Sequence, residues 1–176
     1  MNNTMSDNID MTTHIFFMQK ALEQAHIAQS IGEVPVGAVL VCNNEIIGYG
    51  HNQCITKNDP SLHAEMVAIR HAAEALQNYR LLDTTMYVTL EPCAMCAGLM
   101  VHARVKKVIF GTKDSKTGAA GSVIDLLQHE YVNHKVEVLS GVLQEECSRC
   151  LSDFFAQRRK QIKLKKQAKN KSHLNT

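Results

Sequence analysis

The stretch TMYVTLEPCAMCAGLMVHARVKKVIFG, residues 85–111, changes its periodicity twice. Residues 85–90 are β-branched, aromatic and apolar, and read as a strand. Ala94–His102 reads as a short helix, and KKVIFG (106–111) as a second strand. The flanks extend the alternation. Upstream, Phe17, Met18, Ala21, Leu22, Ala25 and Ala28 recur at helical spacing between His14 and Ser30, and Gly32 suits the turn that ends that helix. VGAVLVC (36–42) and EIIGYG (45–50) flank Asn43-Asn44, a two-residue hairpin signal. Asp59-Pro60 suits the N-cap and first position of a helix, whose apolar face would hold Leu62, Met66, Ile69 and Ala73. Downstream, TKDSKTGAAGS (112–122) is a loop, and Ser122 is placed to cap a helical turn over VIDLL. KVEVLSG (135–141) is a last strand, and a long helix from about Leu143 runs into the C-terminal tail. Strands and helices alternate after the first hairpin, so the class is α/β, a sheet covered by helices.

Bulk properties narrow the setting. A chain of 176 residues suits one domain with a real core. The longest strongly apolar run, residues 34–42, is far too short to span a bilayer, so no membrane role is expected. The opening MNNTMSDNIDMTTH has no cationic stretch followed by an apolar one. Six cysteines in a chain of this size make no dense disulfide framework, and a reducing cytoplasm is the expected location. Residues 1–10 are polar and expected to be disordered, 11–160 form the domain, and 161–176 form a basic, flexible tail.

The formal charge of +2 conceals an asymmetry. Residues 154–176 hold eight Lys and Arg and no acid, which leaves eleven basic against seventeen acidic residues in the rest, a balance of −6. A basic tail is read either as a solubilising end or as an arm for a polyanion.

Pro92-Cys93-x-x-Cys96 by itself fits a redox pair, half of a structural zinc site, or two ligands of a catalytic metal. His63-Ala64-Glu65 by itself is a weak signal. Together they hold more chemistry. One His and two Cys leave a tetrahedral Zn²⁺ an open position for water, and Glu65 is suited to moving protons. Residues i and i+2 in mid-helix point about 200° apart. In a first turn they converge, and the partial positive charge of a helix N-terminus favours thiolates. Cys147 and Cys150 lie too far along the chain for a compact four-cysteine site and read as small hydrophobes, as Met95 and Met100 read as core.

H-x-E followed by P-C-x-x-C is the signature of zinc-dependent nucleobase deaminases. EVPVGAVLV, GHN, DPSLHAEMVAIR, the 89–111 stretch, DSKTGAAGS and LSDFFAQRR resemble, in order, the bacterial tRNA-specific adenosine deaminases over roughly residues 14–160. The resemblance implies a cytidine-deaminase-like three-layer α/β/α sandwich with a mixed sheet of about five strands. It implies a hydrolase that converts adenosine to inosine at the wobble position of a tRNA anticodon stem-loop, releasing ammonia. By the same resemblance, one Zn²⁺ per subunit sits on His63, Cys93 and Cys96, Glu65 shuttles protons, and Asn52, the Ala64 N–H and Val36 surround the base. Asp114 and Lys116 would contact ribose and phosphate, Phe155 would stack on a neighbouring base, and Arg158 and Arg159 would hold phosphates. Of Phe154 and Phe155, about 100° apart on a helix, one should be core and the other exposed; the resemblance implies that Phe155 is the exposed one. A homodimer is also implied. The sequence departs from the family's pattern at His51 and Cys54, where relatives often have an aromatic residue and a proline. The rival readings are a deaminase of a free base or nucleoside, and a non-catalytic RNA-binding protein with a zinc site closed by Cys147 or Cys150.

Overall fold

The computed structural model describes the backbone of residues 11–173 and the side chains of 11–168. The expectation for residues 1–10 lies outside the described residues. Helix α1 (Met11–Ser30) leads into strands β1 (Gly37–Cys42) and β2 (Glu45–His51). A short α2 (Cys54–Lys57) precedes α3 (Ala64–Leu76), then come β3 (Thr85–Leu90), α4 (Ala94–Ala103), β4 (Lys107–Thr112), β5 (Glu137–Ser140) and α5 (Gln144–His173). The sheet order is β2-β1-β3-β4-β5. β1 runs antiparallel to β2 and β3, while β3, β4 and β5 are mutually parallel, so the five-stranded sheet is mixed.

Alternation along the strands builds two cores. Ala38, Leu40, Met86, Val88, Val108 and Phe110 face one layer with α3 and α4. Val39, Val41, Tyr87 and Ile109 face the other, against Phe17, Met18 and Ala21 of α1 and Cys147 of α5. This is a three-layer α/β/α sandwich. Asn43 and Asn44 both take left-handed backbone angles (φ 50° and 62°), the geometry of the tight hairpin read from their sequence. Gly32 has φ +83° at the end of α1. Phe154 is buried and Phe155 is 43% exposed, the split expected of the pair.

Helix α3 differs from its sequence reading in start and face. Its N-cap is His63, four residues beyond Asp59. The Asp59 carboxylate accepts hydrogen bonds from the Ser61 N–H and hydroxyl, closing a turn before the helix begins. The buried face is Ala64, Glu65, Ala68, Ile69 and Ala72, without Met66 or Ala73. The cause lies in β2. A Cβ on Gly48 would sit 2.3 Å from the Ala68 carbonyl oxygen, and one on Gly50 would sit 2.0 Å from that of Ala64. Bare backbone on the strand admits the helix at backbone distance, so alanines rather than larger side chains form the contact.

The segment after β4 also differs from its sequence reading. VIDLL forms no helix. Ser122 caps nothing; its N–H and hydroxyl bind the Glu91 carboxylate, which also accepts from the Asp114 and Ala120 N–H groups. The Ala119 N–H bonds the Pro92 carbonyl. One buried carboxylate thus fastens residues 113–122 to the end of β3. Met95, expected in the core, lies on the outer face of α4, whereas Met100 is fully buried. Cys147 is buried under Gly111, and Cys150 is half-buried. The domain boundary expected after residue 160 falls inside α5, which is helical to His173.

Gly50→Ala is expected to cost about 3 kcal/mol, because helix and strand backbones must separate. Gly98→Ala is the control: its Cβ meets only a Leu126 methyl at 3.9 Å, so the denaturation midpoint should hold or rise. Glu91→Ala leaves three backbone N–H groups without their acceptor and should cost about 2 kcal/mol, with faster hydrogen exchange at Ala120 and Ser122.

Candidate active site

His63 and Cys93 are the N-caps of α3 and α4, both with extended backbone. Their carbonyls accept the first helical bonds, from the N–H groups of Val67 and Ala97. Neither side chain bonds back to its own helix, so ring and sulfur are left for another partner. Cys96 lies one turn into α4. The Cys93 and Cys96 sulfurs each stand 3.6 Å from His63 Nδ1, and the three atoms lie within 4.8 Å of one another. Bonds of 2.0–2.1 Å to nitrogen and 2.3 Å to sulfur in a tetrahedral shell give an N···S edge of about 3.6 Å. The His/Cys/Cys tripod therefore fits a divalent metal and uses three of four positions. Among the described residues no other group of three His, Cys, Asp or Glu has such spacing, and Cys147 and Cys150 do not join this one.

The charges also favour a cation. The Cys93 thiol is lowered to about 3, first by the hydrogen bond from the Cys96 thiol and then by His63. Cys96 is driven upward by that donation and by burial. His63 is raised through its bond with Cys93. Glu65, in the first turn of α3 and almost wholly buried, is pushed up to about 7 by loss of solvent. Two thiols and a buried carboxyl beside one imidazole form a set that a divalent ion neutralises.

The tripod opens into a cavity of about 290 Å³, whose wall includes Val36, Asn52, His63, Glu65, Cys93 and Asp114. Asn52 leaves β2 with its N–H on the Val36 carbonyl, and its Oδ1 accepts the Ala64 N–H at 2.9 Å. That bond occupies the Ala64 donor and fixes the Asn52 amide, leaving its NH₂ unspent. Ala64 itself is buried behind the wall. The Asp114 carboxylate is used within its own loop, accepting from the Lys116 N–H and from the Thr117 N–H and hydroxyl. Lys116, Phe155, Arg158 and Arg159 do not line the cavity. Lys116, Phe155 and Arg159 are exposed, and Arg158 donates to the Gly32 carbonyl at 3.3 Å. Cys54 lines the cavity, while His51 turns away towards Gln24 of α1.

Two wall residues escaped the sequence reading. Glu33 is buried and accepts the Thr56 N–H at 2.6 Å, tying α2 to the end of α1. Glu91 is the carboxylate that fastens residues 113–122. The signal present in both is a glutamate among apolar and small residues one or two positions before a proline, in IGEVPV and TLEPC. Charged side chains rarely stay buried without partners, so such a placement points to a structural duty.

Residues 12–159 match the family model of the MafB19-like deaminases. The chain is 53% identical over 150 residues to the tRNA-specific adenosine deaminase of Haemophilus influenzae, covering 85% of this chain and 87% of that protein. It is 50% identical over 153 residues to the enzyme of the same name from Bacillus subtilis, covering 87% and 95%. A solved structure from work on A-to-I editing by tRNA:A34 deaminases at the wobble position of transfer RNA superposes with a TM-score of 0.75. It has 39% identity and covers 77% of this chain and 99% of that one. The family match, the identity along most of the length and the superposition agree: this chain belongs to the tRNA-specific adenosine deaminases of the MafB19-like deaminase family.

Proposed function

We propose that the chain is a zinc-dependent enzyme that hydrolyses adenosine to inosine at the wobble position of tRNA anticodon loops. The observation that carries this reading is a buried carboxyl, Glu65, beside an open His/Cys/Cys tripod at the end of a cavity. Zn²⁺ held by His63, Cys93 and Cys96 supplies the Lewis acidity that makes water a nucleophile near neutral pH. The overall change forms a C6–O bond, breaks the C6–N bond and releases ammonia.

Glu65 carries the protons. Its carboxylate accepts one from the attacking water and delivers it to ring N1, then takes the second from the new C6 hydroxyl and passes it to the departing amine. A group at about 7 is matched to that two-way traffic at neutral pH. Asn52 donates its NH₂ to the base, and Ala64 acts through Asn52 by holding its Oδ1. Val36 is an apolar wall.

Outside the cavity, Lys116 meets phosphate, and Asp114 shapes the loop that meets the ribose. Phe155 offers a face for a neighbouring base, and Arg158 and Arg159 lie one turn further along α5. A wobble nucleotide is already single-stranded, so splaying its base into a cavity is cheap. The exposed apolar side chains of Met95, Val123 and Ile124, on α4 and the segment beside it, support a homodimer. No described helix is long and apolar enough to cross a membrane, and a cytoplasmic setting would keep the tripod thiols reduced.

The test is inosine formation by the zinc-loaded chain on an anticodon stem-loop with adenine at the wobble position, beside free adenosine, cytidine and guanine. Conversion of the stem-loop alone is expected, and turnover of only a free compound would move the enzyme to the nucleoside and base deaminases. Glu65→Gln should keep its zinc and lose about 10³-fold in kcat. Cys96→Ser should lose zinc and activity together, read by metal analysis of the purified variant.

A further inference from the structure

Helix α5 leaves the body after Phe154. From Phe155 to Ala168 every side chain is exposed, including Ile162 and Leu164. Arg158, Arg159, Lys160, Lys163, Lys165 and Lys166 fall in this stretch with no acid among them. At 1.5 Å per residue, Arg158 to Lys166 spans about 12 Å, or one positive charge per about 2 Å. A nucleic-acid double helix of the B type carries one negative charge per about 1.7 Å of its axis, a similar density. Like charges three and four residues apart repel, so this part of the helix bears a cost that no burial offsets. The ion pairs among the described residues, Lys20–Glu23 and Lys107–Glu137, include none of α5.

Two further observations give the cations a direction. Arg159, Lys163 and Lys166 lie at i, i+4 and i+7, on one face of the helix, and border one shallow groove with Ile162. Arg158 is tethered: it donates to the Gly32 carbonyl and lies over the Phe154 ring. Gly32 adjoins Glu33, which lines the catalytic cavity. The basic rod therefore starts beside the residues around the cavity and runs away from the body for about 24 Å over residues 158–173. A helix of that length reaches well past one splayed nucleotide.

We propose that residues 158–168 are an RNA-docking arm that grips the phosphate backbone of the substrate's double-helical stem, outside the loop that holds the reacting base. The proposal rests on the tRNA reading above and extends it from the reacting nucleotide to the stem. The arm contacts phosphates alone, so it adds affinity without base preference.

The test compares the full chain with a Lys163→Gln, Lys165→Gln, Lys166→Gln variant; glutamine keeps helix propensity close to that of lysine. Binding is measured on whole tRNA and on a single-stranded loop oligonucleotide, from 50 to 200 mM KCl, with inosine assayed in parallel. On whole tRNA the variant should bind about 10-fold more weakly at the lower salt, and its log–log salt slope should flatten by about 2 to 3. On the loop oligonucleotide the two proteins should be alike. Equal slopes on whole tRNA overturn the arm, as does an equal loss on both RNAs. If tRNA binding shows the slope change while no RNA yields inosine, the arm stands and the catalytic reading falls. If both proteins make inosine with equal slopes, the arm alone falls.

Discussion

The first turn of α3 lies on strand β2 at backbone contact distance, and the site is built outward from that contact. Glycines 48 and 50 remove the side chains that would hold helix and strand apart, and Ala64, Ala68 and Ala72 fill the space left. The helix start is fixed within the reach of a hydrogen bond, because the Ala64 N–H must find Asn52 Oδ1 on the chain leaving β2. His63 is the residue just before that start. Cys93 stands in the same relation to α4, and β3 sets its position at the centre of the sheet. Two helix N-termini thus meet at one point. Their partial positive charges suit a thiolate, and Cys93 is the thiol already lowered there.

The same arrangement separates two kinds of carboxylate. Glu65 is stripped of water and held in the helix's first turn, which raises its pKa into the working range of a proton shuttle. Glu33 and Glu91 are buried as well, but their oxygens hold backbone N–H groups and so order the segments around the cavity. Glu91 adjoins Pro92 and Cys93, so the turn that carries a metal ligand also fastens the segment carrying Asp114 and Lys116. The geometry of the tripod and of the loop across the cavity from it depends on one short run of chain.

Much of this was legible in the sequence because it is written locally. Asn43-Asn44 dictates its turn, strand alternation dictates the two faces of the sheet, and helical geometry puts one of Phe154 and Phe155 in the core and the other in solvent. The tripod could be read because ligand type and spacing identify the chemistry before the fold is known. What was hidden depends on distant partners. The buried face of α3 is chosen by glycines 48 and 50 on another strand, so its own periodicity found Ile69 but passed over Ala64, Ala68 and Ala72 in favour of Met66. Asp59-Pro60 has the composition of a helix start, yet Ser61 satisfies the carboxylate and the helix waits for His63. Ser122 has the composition of a cap, but its partner is Glu91, 31 residues away in sequence.

On the proposed function, His63, Cys93 and Cys96 form an open tripod for one zinc ion. X-ray absorption at the zinc edge of the loaded full-length chain tests it most directly. Two sulfurs at about 2.3 Å and two nitrogen or oxygen atoms at about 2.0 Å are expected, one of them exchangeable solvent. A shell of three or four sulfurs would contradict the account, because a further cysteine would then close the position the chemistry needs open.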